Sequence, residues 1–390
     1  MNLHLSHHNN FIVHFIINEE KYTNTENRYI VCADDLNVRL KSPKLEVVEP
    51  NVDSVFKKIG DLSRYKVIYI HYLNSLLIDF VNALTVDIKV VWIFWGNDGF
   101  EQIKNYNNDL CLEERSKDYY DQNLKPRMKW CKNPIYLYKN YKALKKLKQE
   151  PSPFYQNYLK ATERIDFFAH YILEDYSLIK ANSNLKAKYV DFNYMSNEQC
   201  FIGRKSITKE KEKKNIIIGN SANYSNNHLD LFEKIASYNL SNIEKIYTPL
   251  SYSGVQDYVD VVLKDGELKF REKFCPMTAL VPLDEYYAIL ETISLAVFGT
   301  IRSQAAGNII SLLLQGTRVY LNPKNVLYSF FKERGVLLFD IDTDLKNHLD
   351  TNKIGWLSEE ETQANNEALN RICGEEAMQK KYNNLLTLCD

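Results

Sequence analysis

Residues 216–228, Ile-Ile-Ile-Gly-Asn-Ser-Ala-Asn-Tyr-Ser-Asn-Asn-His, change character abruptly at Gly219. The apolar run Ile216, Ile217, Ile218 predicts a buried parallel strand, and a helical pattern begins at Asn227 or His228 after a turn of small polar residues. A strand, a tight turn and a helix start together bring backbone N–H groups to the carboxyl edge of a sheet, where anionic ligands bind. The succession returns at Leu295 to Gly299, followed by Thr300-Ile301-Arg302-Ser303-Gln304-Ala305-Ala306-Gly307-Asn308 and another apolar helix. Two such turns in one half of the chain point to a nucleotide diphosphate site with an arginine beside it.

The rest of the chain alternates in the same way. In the first half the expected strands are Phe11 to Ile17, Tyr29 to Ala33, Leu45 to Val48, Val67 to His71, Lys89 to Phe94, Phe167 to Ala169 and Lys188 to Phe192. A helix is expected from Ser75 to Leu84, and Trp95 to Gly99 reads as a turn. In the second half the strands are 215–219, 244–248, 278–281, 294–299, 317–321 and 336–339. The helices between them are 227–237, 255–264, 284–292, 305–315 and 325–333, with polar helices from 358 onward. Strands separated by helices mean βαβ units and parallel sheets.

The charge run Lys205 to Lys214 has no core-forming residues and reads as a linker. The expected division is therefore a first domain over 1–204, the linker 205–214, and a second domain over 215–390 whose last helix returns toward the first. Two α/β halves joined in this way are the layout of an enzyme with a cleft between its domains. The first domain carries a basic, aromatic insertion at about 101–160. Within it the lysines of 125–148, with Trp130, Tyr136, Tyr138 and Tyr141, suit either an anionic membrane surface or a solvated helix face.

Several function classes are disfavoured. A net charge of −1 gives no global reason to expect nucleic acid. Seven scattered cysteines without a C-x-x-C pair argue for reduced thiols in a cytoplasm rather than a zinc site or disulfide framework. His4, His7 and His8 stand where a signal peptide needs an apolar core, so export is not expected. The absence of G-x-x-x-x-G-K-[ST] and G-x-G-x-x-G disfavours a P-loop ATPase or a dinucleotide enzyme. The abundance of asparagine and lysine reads in part as compositional bias.

Gly219, Asn220 and Ser221 let a phosphate approach the backbone, although an ordinary βα turn has the same composition. Arg302, Ser303 and Gln304, with Gly307 and Asn308 at the start of the next helix, can hold a diphosphate by a guanidinium and free N–H groups. The alternative for Arg302 is a structural carboxylate partner. Tyr252, Leu283 and Glu285 follow strands or open a helix where a base and ribose would lie; plain helix capping is the competing reading. Asp98 and His71, after two first-domain strands, are the candidates for a base or a hydroxyl-binding group, against ordinary turn chemistry and a structural histidine.

Taken together, Ile218 to Ser221 with Ser225 to His228, Val91 to Asp98, Pro249 to Tyr252, Leu283 to Tyr286, Phe298 to Gly307 and Val319 to Asn322 resemble the bacterial TDP-N-acetylfucosamine:lipid II N-acetylfucosaminyltransferases, glycosyltransferase family 56. The resemblance implies a GT-B fold, two Rossmann-like domains facing each other across a cleft, with a nucleotide-sugar donor on the second domain. It implies no cofactor and no required metal. It also implies a polyprenyl-diphosphate-linked saccharide acceptor at the cytoplasmic face of the inner membrane, in surface polysaccharide assembly. A non-catalytic two-lobed sugar or nucleotide binder and a GT-B-shaped sugar-nucleotide epimerase are the rival readings.

Overall fold

The computed structural model describes residues 1–7, 11–33, 42–103, 110–124, 152–200 and 214–389. Thus 125–148, and all of 205–214 except Lys214, lie outside the described residues.

Among the described residues the first lobe holds seven strands: β1 (Asn2–His7), β2 (Asn27–Cys32), β3 (Leu45–Val48), β4 (Val67–His71), β5 (Lys89–Ile93), β6 (Phe167–His170) and β7 (Lys188–Asp191). They are ordered β3-β2-β1-β4-β5-β6-β7, and every pairing is parallel. The second lobe holds β8 (Asn215–Ile218), β9 (Ile246–Pro249), β10 (Phe274–Met277), β11 (Ile293–Phe298), β12 (Arg318–Leu321) and β13 (Phe339–Asp340). Its order, β10-β9-β8-β11-β12-β13, repeats the plan of the first, again with parallel pairings. In each lobe the chain direction of winding reverses beside the first strand, between β1 and β4 and between β8 and β11. Ligands of such sheets bind outside the strand ends at that reversal. In the second lobe the loops bordering it are those after Ile218 and Phe298, the two turns that the sequence singles out.

Two strand readings and one turn need correction. Phe11–Tyr22 is a helix, and the first strand is Asn2–His7. Ile12, Val13, Phe15 and Ile16 are buried while Ile17 is 45% exposed, the one-sided pattern of a helix on a sheet. The true strand was hidden by its polar letters: Asn2, His4 and Ser6 are buried at the centre of the sheet, with His4 stacked between Tyr29 and Tyr69. The expected strand 278–281 lies instead at Phe274–Met277. Pro276 sits within it, which is tolerable because β10 is an edge strand. The turn at Trp95–Gly99 contains a single helical turn, Asn97–Phe100.

Two segments tie the lobes together. Residues after Cys111 leave the first lobe and dock on the helix His228–Ala236: Asn227 Oδ1 accepts from the Glu113 N–H at 2.9 Å, and Asp230 accepts from the Arg115 and Ser116 amides. At the other end, helices Glu359–Cys373 and Glu375–Leu386 meet at Gly374, and the last one packs on the first lobe. Tyr382 is fully buried against Phe15 and Phe192, its hydroxyl donates to the Tyr194 carbonyl at 3.0 Å, and Tyr69 donates to the Leu385 carbonyl. Tyr382→Ala is expected to cost about 3–5 kcal/mol, and Tyr382→Phe about 1 kcal/mol. Denaturant melts would check both; a Tyr382→Ala midpoint equal to wild type would contradict this packing.

Candidate active site

The loop after β8 is organised by a side chain that sequence reasoning did not single out. Asn226 is buried; its Oδ1 accepts from the Asn220 N–H at 3.1 Å, and its Nδ2 donates to the carbonyls of Ser221 and Asn223 and to Ser221 Oγ. Gly219 is held at φ 71°, and a Cβ there would stand 2.9 Å from His228 Nε2 and 3.0 Å from Asn226 Oδ1. Only glycine fits that bend. The Gly219 amide is spent on the Val297 carbonyl and the Asn220 amide on Asn226, so neither is left for a phosphate approaching this turn. Among the described residues the Ser221 amide has no hydrogen-bond partner, and Asn220 Nδ2 keeps one hydrogen beyond its bond to the Tyr252 hydroxyl.

The loop after β11 carries more. Asn325, buried at the start of helix Val326–Glu333, donates through Nδ2 to the Thr300 and Arg302 carbonyls and fixes the loop's path. The Arg302 guanidinium then reaches across to the first lobe, donating to Asn97 Oδ1 at 3.4 Å and lying 5.6 Å from the Phe100 ring centre. It is only 7% exposed. Gln304 joins the two loops: its Nε2 donates to Asn220 Oδ1 at 3.0 Å, and its Oε1 accepts from Ser225 Oγ at 2.9 Å. Ala305 takes a left-handed conformation, φ 63°, and starts helix Ala306–Leu314. Gly307 in its first turn is exposed, and a Cβ there would meet nothing within 4 Å. The positive end of a buried helix, five residues along the chain from Arg302, therefore opens into free space.

That space continues as a pocket of ≈ 240 Å³ between the lobes, lined from the second lobe by Ser303 to Gly307 and Ile310. From the first lobe it is lined by Trp95, His170, Tyr171, Tyr194 and Met195, among others. A larger concavity, ≈ 890 Å³, lies beside Asn197, Glu198 and the helix junction at Gly374 and shares no lining residue with this pocket.

The remaining sequence candidates separate. Tyr252 is 46% exposed above the first loop; its hydroxyl accepts from Asn220 Nδ2 at 3.3 Å, and its carbonyl from the Ala222 amide. Leu283 opens helix Leu283–Leu290, and its side chain lies outside what the structure describes. Glu285 is exposed in the same turn, and among the described residues no hydrogen bond ties it to either loop. Asn308 is half-buried beside Gly307.

Asp98 and His71, the expected base candidates, face inward. Asp98 is 2% exposed: Oδ2 accepts from Trp92 Nε1 at 2.7 Å and the Leu73 amide at 3.1 Å, and Oδ1 from the Trp95 amide at 3.1 Å. A carboxylate braced between two strand-end loops and this deeply buried presents almost no surface to the crevice. Burial pushes its pKa up to about 6, against the pull of Trp92 and the backbone donors. His71 is fully buried, with Nε2 3.0 Å from His4 Nδ1 and Nδ1 3.1 Å from the Tyr194 hydroxyl. His4 Nε2 in turn meets Asn27 Oδ1, whose amide nitrogen donates to Glu19, so hydrogens along this chain run inward from Tyr194.

His170 and Asp175 were not anticipated. His170 ends β6 in the pocket, and its Nε2 lies 3.0 Å from Asp175 Oδ2. Ser303 Oγ donates to the same oxygen at 2.5 Å, so a carboxylate of one lobe holds a hydroxyl of the other. The signal was available: a histidine at a strand's carboxyl end, the position that drew attention to His71.

Comparison with known proteins places this geometry. The family model for 4-alpha-L-fucosyltransferases, glycosyl transferase group 56, matches residues 170–360. No curated protein matches the chain. Among solved structures, sucrose-phosphate synthase from Thermosynechococcus elongatus superposes with a TM-score of 0.66 at 8% identity, covering 100% of this chain and 99% of that one. The trehalose-6-phosphate phosphatase N-terminal domain of Candida albicans gives 0.62 at 10% identity, covering 100% and 96%. The UDP-forming alpha,alpha-trehalose-phosphate synthase of Burkholderia xenovorans, in complex with glucose-6-phosphate, gives 0.59 at 10% identity over 100% of both chains. The shared architecture is the GT-B fold.

Buried histidines generate a pH prediction. Burial lowers His4 and His228 to about 3 and also lowers His71, where the charge of His4 adds to it. Below the unfolded-chain value of about 6.5 the unfolded state takes up protons that the folded state refuses, at about 1.4 kcal/mol per pH unit and group. Their contribution to stability is present above that value and is lost as pH falls toward about 3. Asp98 works oppositely, favouring the folded state as pH falls through about 6. With three groups against one, the thermal midpoint should drop between about pH 6.5 and 4. A flat or rising midpoint over that range would contradict neutral burial of these imidazoles.

Proposed function

We propose that this chain, which matches the family model of glycosyl transferase group 56 over residues 170–360, transfers an amino-deoxy sugar of the TDP-N-acetylfucosamine kind to a saccharide carried on polyprenyl diphosphate. The setting would be assembly of a surface polysaccharide, of the lipopolysaccharide or enterobacterial common antigen type, on the cytoplasmic face of the inner membrane. The observation that carries the donor placement is the loop after β11, which holds a buried guanidinium, Arg302, and five residues later an open first helical turn at Gly307, beside the reversal of the second sheet.

Glycosyl transfer builds negative charge on the departing diphosphate. A fixed cation and oriented N–H groups stabilise that charge without reorganising during the step. In this reading Arg302 and the amides from Ala306 to Asn308 take the diphosphate, with Ser221 and the Asn220 side chain at its nucleoside end. The base lies over Tyr252, whose ring is exposed above the loop. Gln304 holds the two loops at a fixed separation. Asp98 and His71 support the first-lobe loops rather than react, because their polar atoms are engaged inside the lobe.

Membrane association rests on the basic aromatic stretch 125–148. Among the described residues no helix is long and apolar enough to cross a bilayer, so a surface contact is the mode proposed.

Two outcomes follow. Arg302→Ala should weaken TDP binding by about 2–5 kcal/mol in calorimetry, while wild type releases TDP from the donor only when acceptor is present. Unchanged TDP affinity in the variant would contradict the placement, and acceptor-independent turnover would contradict transfer. The protein should also sediment with phosphatidylglycerol vesicles at low salt and be released at high salt; failure to sediment would remove the membrane proposal.

A further inference from the structure

The pocket between the lobes contains one titratable ring whose second nitrogen is uncommitted. His170 is 7% exposed at the end of β6, and its Nε2 is 3.0 Å from Asp175 Oδ2. A carboxylate oxygen accepts, so the neutral ring carries its hydrogen on Nε2 and its lone pair on Nδ1. Among the described residues Nδ1 has no hydrogen-bond partner, although the ring lines the pocket together with Ser303 and Gly307. Phe94 packs edge-on against the ring at 4.9 Å and Tyr171 lies tilted to it at 4.8 Å, which restricts its plane. Asp175 is itself buried in the first turn of helix Leu173–Ala181, a position suited to a carboxylate.

The other histidines pointing toward the centre of the first lobe are differently placed. Both ring nitrogens of His71 are occupied, by His4 and Tyr194, and His4 is occupied by His71 and Asn27. Neither has a nitrogen left for a substrate. Ser303 is one residue beyond Arg302, and its hydroxyl donates to the oxygen that orients His170. The loop assigned to the donor diphosphate is thereby tied to the carboxylate behind the ring.

We propose that His170 is the base of the transfer reaction, with Asp175 as its positioning residue and Ser303 as the contact that couples donor loop to base. The inference rests on the glycosyltransferase reading and deepens it. In the step, the acceptor hydroxyl oxygen forms a bond to the anomeric carbon, and the bond from that carbon to the diphosphate oxygen breaks with its electron pair leaving on the nucleoside diphosphate. The hydroxyl proton passes to His170 Nδ1, and the imidazolium is stabilised by Asp175. Direct attack opposite the leaving group makes the product inverted at the anomeric centre.

His170→Gln should lower kcat with TDP-N-acetylfucosamine and a lipid-linked acceptor by about 100-fold or more, with TDP affinity within twofold of wild type. Imidazole should restore part of the activity of His170→Ala. Asp175→Asn should reduce kcat with little change in the donor KM, which a purely structural defect would not do selectively. A second measurement needs no turnover: in wild type, diethyl pyrocarbonate should modify His170, as read by peptide mass spectrometry, and TDP should protect it. A folded His170→Gln enzyme with kcat within threefold of wild type, a product retaining the donor configuration, or a His170 inert to the reagent would each overturn the assignment. Loss of TDP binding by wild type would instead count against the parent reading.

Discussion

Every strand pairing among the described residues is parallel, and that constraint decides where chemistry can occur. Parallel strands end on one edge, and the loops leaving that edge converge where the winding reverses. Both lobes follow the same order, so each offers one converging edge. The hydrogen bonds from Arg302 to Asn97 and from Ser303 to Asp175 show the two edges meeting. The pocket between them takes its walls from the ends of β5, β6 and β7 on one side and from the start of a buried helix on the other. A donor and an acceptor held on separate lobes would have their reacting atoms brought together at this seam.

Buried amide side chains hold the loops in place. Asn226 closes the loop after β8, Asn227 joins it to the Gly299 carbonyl and to the Cys111–Glu113 segment, and Asn325 threads the loop after β11. An amide offers donors and an acceptor without charge, so it can satisfy several backbone groups in a dry site at no ionic desolvation cost. Asparagine abundance, read from composition as bias, is therefore partly structural. Arg302, by contrast, stands nearly buried where the lobes meet.

The strands of continuous apolar residues were legible from the sequence: Ile216 to Ile218, Leu295 to Phe298, Val67 to Ile70 and Val90 to Ile93 all fall in observed strands. β1 was not, because His4, Ser6 and Asn2 are polar residues whose partners, such as Asn27 and His71, come from other strands. The neighbouring helix Phe11–Tyr22 was misread because a short apolar run has no clear period. At the site, strand-turn-helix grammar singled out a loop whose Gln304 and Gly307 line the pocket and whose Arg302 reaches the other lobe. It said nothing of hydrogen bonds, and the Gly219 and Asn220 amides prove to be consumed within the fold. Asp98 stood in an exposed-looking Gly-flanked turn, yet a tryptophan nitrogen six residues earlier closes over it. Reading β6 as ending at Ala169 left the next residue, His170, outside the set of strand-end groups.

The central claim is that the second lobe grips a diphosphate with a guanidinium and helix amides in place of a divalent ion. Its most direct test is a crystal structure of the protein soaked with TDP in the presence of EDTA. The account predicts phosphate oxygens within hydrogen-bond distance of the Arg302 guanidinium and the Gly307 and Asn308 amides, with no metal between them. A diphosphate bound elsewhere, or one that binds only when magnesium is restored, would contradict it.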